Sequence, residues 1–166
     1  QTNKYTTPPH QDYWYVGGSK NTWTTWIPLG DTPKELGTLA VGKETHYEGV
    51  IINRFKADGA GNYACDVPDE VEWVNGDMEA GDVLMFNCLN IHQATDNNTD
   101  RIRLSCDFRY QSVLEPVHKR SLTPHMQLIT WDEIYKNWVI DDGLKYYWKN
   151  YDLTINHEIE TDRKIN

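Results

Sequence analysis

Two stretches of this chain carry metal-binding and anion-binding side chains at short, regular spacings. The first is His10-Gln11-Asp12, an imidazole and a carboxylate two residues apart. The second runs from Gly81 to Ser105. There a Gly81-Asp82 turn launches the apolar run Val83-Leu84-Met85-Phe86, and the segment ends on His92. After a polar loop, Arg103 and Ser105 open another strand-like run. Alternate side chains of an extended chain share a face, so His10 is expected to point the same way as Asp12, and Arg103 the same way as Ser105. Two histidines and one carboxylate form the facial triad that holds non-haem Fe(II) and leaves coordination positions open. An arginine fork grips a carboxylate through parallel N–H donors. Each piece alone has a plainer reading. A lone His-x-Asp is more often a turn or surface feature, a lone histidine after a strand is more often structural, and an arginine on a strand usually faces solvent. The combination points to a metal centre with an anion clamp beside it.

The surrounding pattern is mostly that of strands. Residues 10–16 read as extended. Residues 21–29 read as a strand with Trp23, Thr25, Ile27 and Leu29 on one face and Thr22, Thr24 and Trp26 on the other. Gly30-Asp31-Thr32-Pro33 is a turn. Short strands are expected over 36–41, 50–52 and 71–74, with a loop at 58–61 and a turn at Asn75-Gly76. The run 83–89 is nearly all apolar, which implies a strand buried on both faces. Over 102–111, Arg103, Ser105, Asp107 and Arg109 alternate with Leu104, Cys106, Phe108 and Tyr110. The period then changes. Thr130 and Glu133 have capping-box spacing for a helix, and Asp141-Asp142 is expected to open a second helix carrying Leu144, Tyr147, Trp148 and Tyr151. Residues 1–155 read as a single domain and 156–166 as a polar tail. Strands and turns followed by helices suggest an antiparallel β-sandwich or barrel with a helical appendage.

Composition narrows the function classes. The 166 residues carry a formal net charge of −9. Such a chain repels nucleic-acid phosphates and anionic membrane surfaces. No apolar run approaches the roughly 18 residues of a membrane helix. Cys65, Cys88 and Cys106 are odd in number and lack metal-site spacing, which favours free thiols and a cytoplasmic setting.

Several ordered segments resemble the phytanoyl-CoA dioxygenase family of Fe(II)/2-oxoglutarate-dependent oxygenases. These are His10-Gln11-Asp12, Trp26-Ile-Pro-Leu-Gly-Asp31, Leu36-Gly-Thr-Leu-Ala-Val41 leading to His46, Gly81-Asp-Val-Leu-Met-Phe86, His92 with Asn97, and Arg103-Leu-Ser105. The step of eleven residues from His92 to Arg103 fits the family's spacing. The resemblance implies a mainly β fold, a double-stranded β-helix (jelly-roll, cupin-like) with C-terminal helices. It implies that His10, Asp12 and His92 bind Fe(II), that Arg103 and Ser105 hold the distal carboxylate of 2-oxoglutarate, and that Trp26 lies near that co-substrate. Arg101 and Arg109 are weaker competitors for the clamp, one in the loop and the other too far along the strand. The implied reaction consumes O2 and 2-oxoglutarate, releases succinate and CO2, and hydroxylates a small organic metabolite. Halogenases of related type lack the carboxylate that Asp12 supplies.

Two departures from the family pattern stand out. Gly42-Lys-Glu-Thr-His46 replaces the usual Pro-Gly-Ser-His-like turn, so His46 reads as structural. The usual portion before His-x-Asp, with helices and an early strand, is missing, so the chain is expected to be the C-terminal part of a longer domain. His118, His125 and His157 read as surface or loop residues. Tyr13, Trp14 and Tyr15 are candidates for the mouth of the site or for core packing. The alternative functions are a non-catalytic metal-binding β-barrel module or inactive fragment of such an enzyme, and a cupin-type metalloenzyme that uses no 2-oxoglutarate.

Overall fold

Aromatic and β-branched side chains make Trp23–Pro28 (β1) a strong strand former, and it becomes the centre of a sheet. The computed structural model describes residues 6–55, 63–140 and 143–160. Around β1, in chain order, lie the short helix Tyr13–Val16 (α1) and the strands Leu39–Gly42 (β2), Asn53–Phe55 (β3), Tyr63–Cys65 (β4), Trp73–Val74 (β5), Leu84–Asn87 (β6), His92–Ala94 (β7), Ser105–Tyr110 (β8) and Val117–His118 (β9). The helix Trp131–Tyr135 (α2) and the strand Ile155–Asn156 (β10) follow. The expected loop at 58–61 and the Asp141-Asp142 helix start lie outside the described residues.

Two antiparallel three-stranded sheets position the site, in orders β6-β1-β8 and β5-β2-β7. The chain passes back and forth between them: β1 in the first, β2 and β5 in the second, then β6, β7 and β8 alternately. In the first sheet Thr24 lies opposite Phe86 on one side and Arg109 on the other, and Trp26 opposite Leu84 and Asp107. In the second, Val41 lies opposite His92, and an isolated bridge joins His92 to His10. Gly37 lets the chain enter β2 beside the segment after β7. Its φ is +84°, and a Cβ there would meet the Thr95 carbonyl oxygen at 2.7 Å.

Several elements differ from expectation for identifiable reasons. Residues 13–16 are helical, not extended. Asp12 has φ −61° and ψ −27°, and Tyr13 is drawn into a core cluster with Val50, Cys88 and Leu89, against which Trp14 and Ile159 pack. Residues 50–52 form no strand, because Ile51 N–H donates to Gln11 Oε1 and Ile51 O accepts from Trp14 Nε1. Strand β6 is not buried on both faces. It is an edge strand with Phe86 inside and Met85 57% exposed. The capping box forms, with Thr130 Oγ1 accepting from Glu133 N–H and Glu133 Oε2 accepting from Thr130 N–H. The second helix does not: Tyr146 is left-handed at φ 52°, leaving one 3-10 turn at Tyr147–Asn150. Here aromatic contacts among Trp131, Tyr135, Tyr146 and Trp148 replace helical periodicity. Ile155–Asn156 pairs with Val117–His118 in parallel. His118 is buried, and its Nδ1 accepts from Arg120 N–H, so it is no surface residue.

Candidate active site

His10, Asp12 and His92 come together, each buried, with one ligand atom apiece lying within 4.8 Å of one another. The backbone sets this up. Hydrogen bonds from His10 N–H to His92 O and from His92 N–H to His10 O, both 3.0 Å, clamp the two histidines side by side. The turn into α1 then brings Asp12 back over them. His10 sits in the antiparallel bridge to His92 and Asp12 is the N-cap of α1, so the pair lies where the extended segment gives way to the helix. Gln11, fully buried between them, donates to Gly49 O and Leu89 O and accepts from Ile51 N–H. It fixes the segment to two loops at once.

The hydrogen positions follow from the partners. His10 Nδ1 lies 2.8 Å from Pro8 O, and His92 Nδ1 lies 3.0 Å from Asn90 O. A carbonyl oxygen only accepts, so each Nδ1 carries a proton and Nε2 is the ring nitrogen left for a ligand. Those two Nε2 atoms face Asp12 Oδ1 at 3.7 and 3.6 Å, beyond hydrogen-bond length. Three lone-pair donors thus converge on one buried point, an arrangement that a cation resolves. The imidazole and carboxylate donors suit Fe(II), and the Nδ1–H bonds to carbonyls are the outer contacts that orient metal-binding histidines.

Electrostatics agree with this. Burial pushes the His92 imidazole down to about 4, helped by neighbouring His10 and opposed by Asp12, so it is neutral at physiological pH, as a ligand must be. Burial alone would raise the Asp12 carboxyl. The His10 side chain, the neighbouring His92, the Arg109 guanidinium and the Thr24 hydroxyl outweigh it and hold the group well below the usual carboxylate range. Asp12 Oδ2 accepts from Thr24 Oγ1 at 2.6 Å and from Arg109 Nη2 at 2.9 Å.

Arg103 and Ser105 share a face, as expected, and Arg103 Nη1 donates to Ser105 Oγ at 3.2 Å. The guanidinium lies 5.2 Å from the ring centre of Trp26, a cation–π contact that helps to place the fork. Burial pulls the Arg103 guanidinium below its ordinary value, with Asp107 opposing. Among the described residues its one hydrogen bond is to Ser105, so it keeps donors free for an anion. A cleft of about 360 Å³ opens beside it, lined by Thr6, Thr7, Thr95, Asn97 and Arg101. Thr24 touches the triad and Trp26 touches the clamp. They are two residues apart on one face of β1, about 7 Å along the strand.

Other side chains are placed as follows. Asn97 organises the loop after His92, accepting from Thr99 N–H and donating to Arg101 O. His46 Nδ1 lies 3.4 Å from the Asn90 amide, and its ring packs on Tyr47 with centres 4.0 Å apart. Tyr13 and Trp14 pack in the core, while Tyr15 lies edge-on to His10 with ring centres 5.6 Å apart. Sequence reasoning missed Thr24, and it weighed Arg109 only as a rival clamp. The available signal was strand alternation, which puts Arg109 on the same face as Arg103 and Ser105.

The chain is 32% identical over 130 residues to a protein of Streptomyces exfoliatus named 1-deoxypentalenic acid 11-beta-hydroxylase, a match covering 72% of this chain and 46% of that protein. It spans about half the length of the curated relatives it matches. Among solved structures, the epimerase SnoN in complex with Fe3+, alpha ketoglutarate and nogalamycin RO superposes with a TM-score of 0.56 at 23% identity, covering 71% of this chain and 46% of SnoN. EvdO2 from Micromonospora carbonacea var. aurantiaca complexed with 2-oxoglutarate gives 0.52 at 21%, covering 65% and 45%. These likenesses show the fold, which is a mainly β double-stranded β-helix of the jelly-roll type. The family model described as phytanoyl-CoA dioxygenase (PhyH) matches residues 1–105. With well over half of the sequence matched and this fold around it, the chain belongs to the phytanoyl-CoA dioxygenase (PhyH) family.

Proposed function

We propose that this chain carries the metal and co-substrate site of a non-haem Fe(II)- and 2-oxoglutarate-dependent dioxygenase. The proposed reaction hydroxylates a small organic metabolite and releases succinate and CO2. The observation that carries this reading is the convergence of His10 Nε2, His92 Nε2 and Asp12 Oδ1 on one buried point, with Arg103 nearby on the same inner face. Iron, with 2-oxoglutarate and O2, supplies the oxidising chemistry. The chain supplies ligands, orientation and shielding. His10 and His92 turn Nε2 toward the metal because backbone carbonyls hold their Nδ1 protons. Asp12 contributes the single charge. Arg103, placed beside Trp26 and steadied by Ser105, binds the distal carboxylate of 2-oxoglutarate. We take residues 1–155 as one oxygenase-like unit and 156–166 as its tail, the start of which is anchored by Asn156 in β10 and by Ile159 on the Tyr13 cluster. The acidic balance of the chain supports small-molecule partners over nucleic acid. Among the described residues no helix is long and apolar enough to cross a membrane.

Anaerobic titration of the chain with Fe(II) and 2-oxoglutarate tests the reading. A visible charge-transfer band that requires both components, and that disappears in Asp12→Ala, is the expected result. A folded chain that gives no such band overturns it and favours the non-catalytic module.

A further inference from the structure

We infer that Arg109 is a positioning residue that holds Asp12 as a one-oxygen ligand. This rests on the iron reading above and adds a role to a residue that touches neither proposed co-substrate contact. The Arg109 fork grips the whole carboxylate, with Nε to Oδ2 at 3.1 Å, Nη2 to Oδ2 at 2.9 Å and Nη2 to Oδ1 at 3.1 Å. Thr24 Oγ1 adds a 2.6 Å bond to Oδ2. Oδ2 therefore accepts from three donors, and its lone pairs are committed. Oδ1 takes one donor and faces both Nε2 atoms.

This asymmetry has a chemical consequence. A facial triad leaves three positions open only if its carboxylate binds through one oxygen. A carboxylate that swung to chelate with both oxygens would take one of those positions. Thr24 and Arg109 prevent the swing by occupying Oδ2. They are register partners on adjacent strands β1 and β8, whereas His10 and His92 are joined on the β2-β7 side. The Arg109–Asp12 pair thus sets the carboxylate from the opposite sheet. Asp12 is 2% exposed, while the Arg109 side chain is 36% exposed. The arginine reaches inward from a position where its charge remains partly solvated.

A purely structural role, neutralising a buried carboxylate, predicts something different. Lysine supplies the same charge without the planar fork. Arg109→Lys is therefore expected to fold and unfold as the unsubstituted chain does, by circular dichroism and thermal melting, yet to bind Fe(II) alone about ten- to a hundredfold more weakly in anaerobic calorimetry, the usual consequence of removing an outer contact of a ligand. With Fe(II) saturating, addition of 2-oxoglutarate should give a weakened charge-transfer band. Thr24→Val, which removes only the Oδ2 hydrogen bond, should shift Fe(II) affinity in the same direction by a smaller factor, and it carries the test if Arg109→Lys does not fold. Fe(II) affinity within about twofold of the unsubstituted chain, in Arg109→Lys or, failing that, in Thr24→Val, overturns the inference and leaves the iron site standing. Fe(II) binding that is absent, or that survives Asp12→Ala, instead overturns the iron reading itself.

Discussion

The two faces of the β6-β1-β8 sheet reverse the usual distribution of polar and apolar side chains. The face turned toward the triad carries Thr24, Ser105, Asp107 and Arg109 beside Trp26 and Phe86. The opposite face carries Trp23, Met85, Phe108 and Tyr110, all exposed. An antiparallel sheet with one solvated face ordinarily turns its apolar residues inward. Here the positions on that face hold charges because a buried metal site and an anion clamp need them, although Asp107 and Arg109 themselves keep contact with solvent. Period-two alternation therefore says which residues share a face but not which face is inside. That choice follows from what the inner residues must touch.

The largest stability difference should fall between two phenylalanines on the strands that flank β1. Phe86 is 5% exposed and packs on His92 with ring centres 4.6 Å apart, whereas Phe108 is exposed on the far face. Phe86→Ala should cost about 3–5 kcal/mol of unfolding free energy, and it should also loosen the His92 ring. Phe108→Ser should stay within about 0.5 kcal/mol. Denaturant melts of the two variants check this, and similar losses for both would mean that the far face is as tightly packed as the near one.

Arg103 sharpens the comparison in functional terms. Arg103→Ala should leave Fe(II) binding largely intact but weaken 2-oxoglutarate binding on the order of a hundredfold. That is the lower end of what losing one partner of a buried ion pair costs, because this guanidinium is only half buried. Tyr110→Ser, at the far end of β8 with its side chain on the opposite face, should leave both affinities unchanged. Unaltered 2-oxoglutarate affinity in Arg103→Ala would remove the clamp assignment.

Much of the candidate site is legible in the sequence, because the proposed chemistry demands particular residue types. His10, Asp12, His92, Arg103 and Ser105 stand out by type and spacing, and strand alternation placed Arg103 with Ser105. What was illegible depends on contacts distant in sequence. Nothing local tells Tyr13 to turn helical. That follows from its burial against Val50, Cys88 and Leu89. Residues 50–52 have strand composition, but Gln11 and Trp14 take their backbone groups first. Arg109 could be placed on the right face from the sequence, yet its pairing with Asp12 spans 97 positions, and no spacing rule reaches that far.

The thiols give the gentlest test of the same contrast. Cys88 is fully buried beneath the site, and burial pushes its thiol up to about 12. At pH 8 only about one molecule in ten thousand would carry the reactive thiolate there, before access is considered. Cys65 is also buried, whereas Cys106 lies on β8 with its side chain toward the far face and is partly open. Native alkylation at pH 8 should therefore modify Cys106 first, with Cys65 and Cys88 following only on unfolding, read by mass shift and peptide mapping. Fast labelling of Cys88 in the folded chain would show that the inner layer opens as readily as the outer face. A triad held only by such a mobile layer could not keep three lone pairs converged in the absence of metal.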